Sequence, residues 1–206
     1  MQPCQHQGRR REYRSSACTR TPHHPFPQMS KRRQRPSKKE SDRGEFLSQL
    51  VQEYLVTRSL EAKQQVLANL ANFAYDPINY EHLWQANAID LFINGLEDPD
   101  PTLKEFGTGG LANICSDPNH RQYIFLQPEC IDALKKTVWD AVNSTQAQDD
   151  TVINAMTTLM LLIEPSSQPT ICTHDLKKGL EQLRSSEGKN PRIRTMATLF
   201  LNDYFH

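Results

Sequence analysis

The side chains that could act on a substrate or ligand are few and scattered. His82, His120, His174 and His206 stand singly, and no Ser/His/Asp or Cys/His grouping follows from their spacing. The five cysteines, Cys4, Cys18, Cys115, Cys130 and Cys172, include no C-x-x-C pair. Cys4, His6, Cys18, His23 and His24 have zinc-ligand chemistry, but their spacing fits no finger, and no metal site is expected. Gly107-Thr108-Gly109-Gly110 has the composition of a phosphate loop, yet it follows no strand and falls inside a helix opened by Asp100-Pro101. Neither an enzyme, a cofactor nor a small-molecule substrate is expected. What remains is amide chemistry. Asn72 and Asn113 hold matching places in two copies of one phrase, and a carboxamide is both donor and acceptor.

That phrase organises the chain. Leu70-Ala71-Asn72 recurs as Leu111-Ala112-Asn113, and Asp76-Pro77 as Asp117-Pro118, all at an offset of 41 residues. A fixed period near 40 with helical punctuation is the pattern of stacked armadillo or HEAT units, which run to about 40–47 residues. Asp100-Pro101, Asp117-Pro118 and Asn190-Pro191 are helix starts, because Asp and Asn cap well and proline at the first helical position has no N–H to leave orphaned. Pro128 is placed at a first helical position too, and Ser59 caps a helix over 60–74. Phe46, Leu47, Leu50, Val51, Tyr54 and Leu55 share one helical face, and Val66, Leu67, Leu70, Ala71, Phe73 and Ala74 are the burial candidates of the next helix. Ile89, Phe92, Ile93 and Leu96 have counterparts one unit on in Ile131, Leu134, Val138, Trp139 and Val142. Trp84 and Trp139 are read as packing between units. A third unit follows at an offset of 48, where Thr157-Thr158-Leu159 stands for Gly109-Gly110-Leu111. Residues 143–149 form a polar loop that takes up the extra length, 150–163 form the unit's helix, and Leu176, Leu180 and Leu183 line another. The closing helix carries Met196 to Leu201. The expected fold is all-α, a short right-handed α-solenoid.

The net charge of zero hides a division. Residues 1–43 carry 12 Lys or Arg against Glu12, Glu40 and Asp42, while 44–206 carry 12 against 21 acidic groups. The first segment is read as a disordered basic arm with too few apolar side chains to offset chain entropy, and 44–206 as the folded domain. Within the arm, Lys31, Arg32, Arg33, Arg35, Lys38 and Lys39 form a run suited to nuclear localisation or RNA contact, and Met29 is an alternative start. No apolar run approaches a membrane span and no secretory leader is seen, so a reducing compartment is expected, with Cys115 a small core residue.

The stretch Asn79, Leu83, Ile89, Leu96, the Asp-Pro turn and Gly110-Leu111-x-Asn113 resembles the armadillo consensus. The run Gln65–Pro77 and the segment Ala155–Met160 are similar to a small armadillo protein of few repeats, a likeness covering about residues 45–205. The resemblance implies that the third helix of each unit lines a concave groove whose asparagines bond a ligand backbone. Gln65, Asn69, Asn72, Tyr75, Asn113, Ser116, Asn154 and Thr157 are its candidate groove residues; the alternative is that Asn72 and Asn113 only satisfy nearby loop backbone. Ala68 and Gly109 stand where importin-like repeats want Trp, and Leu161 replaces a third Asn, so a groove for nuclear-import signals is not expected. The resemblance further implies a nuclear, non-enzymatic scaffold of the minor spliceosome. Its partner would be an RNA-recognition-motif protein, RNA-binding motif protein 48, with which it holds the capped 5′ end of a small nuclear RNA among spliceosomal proteins. A transport or signalling adaptor taking an extended peptide, of importin or catenin type, is the other reading.

Overall fold

The computed structural model describes residues 38–144 and 148–205. Among them there is no strand, and the chain runs through α1 (Lys38–Val56), α2 (Leu60–Phe73), a 3-10 turn (Pro77–Asn79), α3 (Tyr80–Gln85), α4 (Ala88–Gly95), α5 (Pro101–Ile114), α6 (Pro118–Phe125), α7 (Pro128–Asn143), α8 (Asp149–Leu162), α9 (Gln168–Ile171), α10 (His174–Ser185) and α11 (Pro191–Tyr204). Lys31, Arg32, Arg33 and Arg35 of the basic run, and the Cys4, His6, Cys18, His23 and His24 set, lie outside the described residues. Lys38 and Lys39 begin α1, so the first helix opens ahead of residue 44 and takes in the end of the basic run.

The helix starts follow from their caps. Ser59 accepts from the Ala62 N–H, Asp76 from Ile78, Asp100 from Leu103, Asp117 from Asn119 and His120, and Asn190 from Arg192. Each cap satisfies one or two orphan amides at a helix end, an effect of about 0.5–2 kcal/mol. Pro101, Pro118, Pro128 and Pro191 each occupy a first helical position. Between α3 and α4 the chain turns within two residues, and Asn87 takes the left-handed conformation (φ 57°), which Asn tolerates better than bulkier residues do.

The helices α2, α5, α8 and α11 pack side by side in that order, one unit apart, and α4, α7 and α10 pair with α5, α8 and α11 in turn. No unit covers its own apolar face, so one continuous core runs between the layers, with Leu67, Leu70, Phe92, Leu111, Leu134, Leu159, Leu180 and Phe200 sealed within it. Two expected core contributors are not in it. Phe46 is 48% exposed and Leu55 61%, since α1 is the first described helix and among the described residues none covers its outer edge. Phe46 instead packs edge-on against Phe73, ring centres 5.9 Å apart. Trp139 is likewise 37% exposed; its ring lies against Gly179, with the Lys178 ammonium 6.0 Å above it.

The glycines of α5 have a steric cause. A Cβ on Gly107 would sit 2.8 Å from the Phe92 carbonyl oxygen, and one on Gly110 would lie 2.4 Å from the Phe92 ring. Helix α4 therefore crosses α5 at backbone contact, with the Phe92 side chain lying where a Gly110 side chain would be. Close helix–helix approach accounts for Gly107 and Gly110.

Candidate partner-binding ladder

Bonds between neighbouring units hold α2 in register with α5, and α8 with α11. Gln64 Nε2 donates to Asp100 Oδ1 at 3.0 Å, Asn113 Nδ2 to the Ala71 carbonyl at 2.9 Å, and Asn190 Nδ2 to Asp149 Oδ2 at 2.7 Å. Arg192 pairs with Asp150 at 3.0 Å. The partners are 36, 42, 41 and 42 residues apart, about one repeat. An internal hydrogen bond of this kind contributes about 0.5–1.5 kcal/mol, and the exposed ion pair about 0.2–1 kcal/mol. The Leu103 amide and the Gln64 amide both donate to Asp100, which holds its carboxyl below the usual range.

Along the four helices, equivalent positions make rungs that no neighbour fully covers. Gln65, Phe106, Asn154 and Met196 form one, Ala68, Gly109, Thr157 and Leu199 a second, and Asn72, Asn113 and Leu161 a third. Small residues at Ala68 and Gly109 leave the second rung shallow; Asn154 Nδ2 lies 3.3 Å from where a Gly109 Cβ would be. The ladder is amide-rich at the α2 end, while at the α11 end it carries Met196, Leu199 and, at the place of Leu161, the exposed Asp203.

The candidate residues meet different fates. Gln65 is exposed and donates to Asn69 Oδ1 at 3.3 Å, along its own helix. Asn72 is exposed, and among the described residues its amide has no partner. Tyr75 is 78% exposed at the turn that follows. Asn113 is half-buried and gives one of its two amide N–H donors to the Ala71 carbonyl, while its backbone carbonyl accepts from Tyr80 Oη at 3.4 Å. Ser116 is exposed beside Tyr80. Thr157 donates to Ile153 O at 2.8 Å within α8, and Asn154 is half-buried against α5. Gln65, Asn69, Asn72 and Tyr75 are thus one exposed or half-exposed cluster on α2 and its end; Asn113, Asn154 and Thr157 are drawn into contacts between and within helices.

Three further positions were not singled out from sequence. Phe106 and Met196 share a rung with Gln65, a place that the 41-residue offset already marks for Phe106. His120 is buried, its Nδ1 2.7 Å from Asp117 Oδ1, its ring edge-on to Tyr80 and Trp84 with centres 5.4 Å away. Burial holds its pKa below 6.5 against the opposing pull of Asp117. The signal was the Asp-Pro cap itself, since Asp117 stands three residues before His120. Trp84 also meets Tyr123 at 5.1 Å, an inter-unit contact as expected. Among the described residues no group of three or more His, Cys, Asp or Glu is placed to hold a metal, and no helix is long and apolar enough to cross a membrane. Burial raises the Cys115 thiol pKa and pushes that of Cys130 up to about 12, which keeps both protonated as core residues.

The stacked units can be set beside known proteins. The chain is 38% identical over 159 residues, 77% of each sequence, to Armadillo repeat-containing protein 7 of Mus musculus. The chain belongs to the armadillo-repeat family. No protein-family model matches it. Among solved structures, a designed armadillo repeat protein in complex with the peptide (KR)4 superposes with a TM-score of 0.59 at 19% identity, over 76% of this chain and 63% of that one. An engineered protein superposes at 0.57 with 20% identity, over 75% and 62%. This armadillo chain thus spans under two thirds of those two designs, which share its fold. As an armadillo α-solenoid it is a repeat scaffold whose ladder of third helices suits protein binding.

Proposed function

We propose that this armadillo scaffold acts without chemistry of its own, in the nucleus, as a component of the minor spliceosome in pre-mRNA splicing. Its ladder clasps an RNA-recognition-motif protein, RNA-binding motif protein 48, and the pair holds the capped 5′ end of a small nuclear RNA. The observation that carries the binding half is the exposed cluster Gln65, Asn72 and Tyr75 at the open end of the ladder. An uncommitted amide next to an exposed tyrosine is the composition of a protein-docking centre, where tyrosine is enriched. The spliceosomal half rests on the likeness to Armadillo repeat-containing protein 7. RNA is held mainly through the partner, because residues 44–206 carry 21 acidic groups against 12 basic ones and repel phosphate overall.

A second reading, an adaptor for an extended peptide, draws on the designed relative bound to (KR)4 and on the acidic body. It is the weaker one, since a backbone-reading row of amides needs free donors on successive rungs. In this chain Asn113 has already given one of its two donors to the Ala71 carbonyl, and Leu161, with no amide, follows it.

Affinity purification from nuclear extract, with bound proteins and RNA both identified, tests the proposal. An RNA-recognition-motif protein and a small nuclear RNA are expected together; a salt-resistant complex with a bare basic peptide and no RNA would overturn it. Asn72→Ala with Tyr75→Ala is expected to weaken partner capture at least tenfold, about 1.4 kcal/mol, with the helical circular dichroism unchanged.

A further inference from the structure

The last two long helices border a cavity of about 380 Å³, lined by Arg184, Pro191, Arg194, Thr195, Thr198 and Leu199. Its size lies within the range of about 300–1,000 Å³ usual for small-ligand sites. Its charge is unusual for this protein. No carboxylate lines it, and neither Arg184 nor Arg194 is in an ion pair among the described residues. Arg192, between them in sequence, is held away by Asp150 at 3.0 Å. Arg194 Nε donates to the Arg184 carbonyl at 3.4 Å, which ties the second guanidinium to the end of α10 and leaves its terminal nitrogens uncommitted. The Thr195 hydroxyl has no partner among the described residues, while Thr198 donates to the Arg194 carbonyl at 2.8 Å. Beside these groups Leu199 is 48% exposed.

We propose that this cavity is a direct RNA site, in which Arg184 and Arg194 clamp a phosphodiester of single-stranded RNA and the nucleoside lies against Pro191 and Leu199. A guanidinium is a planar fork that matches two phosphate oxygens, and two forks with one hydroxyl donor satisfy a phosphate from three sides. A nucleotide carries its anion and a flat, largely apolar face on one unit, which is the pairing this cavity presents. An acidic peptide divides those features between neighbouring residues. The field favours this end of the solenoid. Residues 170–206 hold six basic groups against four acidic, whereas 44–169 hold six against seventeen. With screening over about 8–10 Å, a phosphate bound here feels the local balance more strongly than the acidic body, which still leaves the partner the larger share of the RNA. The site stands on its own geometry; its use for the capped small nuclear RNA rests on the function proposed above.

The test titrates the full chain with a fluorescent oligouridine of about eight nucleotides, a length suited to one single-strand site, across a salt series. Arg184→Ala with Arg194→Ala leaves that one phosphate without its cations and is expected to flatten the slope of log K against log salt by about 0.7, the share of one phosphate. Arg184→Lys with Arg194→Lys keeps the charge but not the forks and is expected to keep the slope while weakening affinity. Lys136→Ala, on the outer helix α7, is expected to leave the slope unchanged. A 4-thiouridine strand is expected to photo-crosslink to the peptide that begins at Thr195. An unchanged slope in the double-alanine variant, cross-links confined to residues 1–43, or equal competition by an acidic peptide would each overturn the site. Partner capture by the double-alanine variant is measured in parallel. An unchanged slope with capture intact removes the pocket alone; the expected slope change with no RNA-recognition-motif partner recovered removes the ladder reading alone.

Discussion

Helices α2 and α5 are two copies of one element with opposite loads. At the same four positions α2 carries Val66-Leu67-Ala68-Asn69 and α5 carries Gly107-Thr108-Gly109-Gly110. At the repeated asparagine, Asn113 donates to the Ala71 carbonyl one unit back, while Asn72 stands exposed. The difference comes from place in the stack. Helix α5 has α2 on one side, α8 on the other and α4 crossing at backbone distance, whereas among the described residues α2 begins the ladder and no earlier third helix offers Asn72 a carbonyl. A residue that serves the fold in the interior of the array is left exposed at the start of the ladder.

The largest effect that would sharpen this contrast is at the glycines. Gly110→Ala drives a methyl group to 2.4 Å from the Phe92 ring. The gain in helix propensity is about 1 kcal/mol, and overpacking costs about 1–3 kcal/mol, more at so close a contact, so net destabilisation in urea unfolding is expected. Gly109→Ala meets only the Asn154 amide at 3.3 Å, a side-chain tip that can shift, and is expected to be neutral or slightly stabilising. Equal effects at the two sites would mean that α4 does not press on α5 through Phe92. The asparagines come next. Asn113→Ala leaves the Ala71 carbonyl without its donor and is expected to cost about 1–3 kcal/mol, against less than about 0.5 kcal/mol for the exposed Asn72→Ala. Matching losses in thermal melts would mean that the two copies are equivalent after all.

The smallest effect is a pH dependence in the interior repeat. Buried His120 has its pKa lowered from 6.5, with burial the chief cause and Asp117 and Glu81 opposing. Below the unfolded value of 6.5 the unfolded chain binds the proton first, so this contribution to stability is complete above that pH and declines as pH falls toward the lower folded pKa. The difference in melting temperature between wild type and His120→Gln is expected to shrink as pH drops from about 7.5 toward about 5, measured by circular dichroism. A difference that stays constant over that interval would place His120 outside the titrating set.

Much of this architecture was legible in the chain itself. Asp76, Asp100, Asp117 and Asn190 cap the helices they were expected to cap, and Leu67, Leu70 and Leu111 are buried as their spacing implied. Phe46, Leu55 and Trp139 were not, because helical periodicity marks an apolar face without saying whether a neighbour exists to cover it. Of the candidate binding positions, Asn72 and Tyr75 are exposed, but the commitment of Asn113 to Ala71 could not be read from a repeat that writes both asparagines alike.

Residue order alone determined the 41-residue period and the capped helix starts, because caps and amphipathic faces are local, settled within three or four residues along one helix. The tertiary structure alone decided which amides stay free and where two arginines meet. The Asn113 bond spans 42 residues and the Arg184–Arg194 contact joins two helices, and such pairings exist only after neighbouring units have packed.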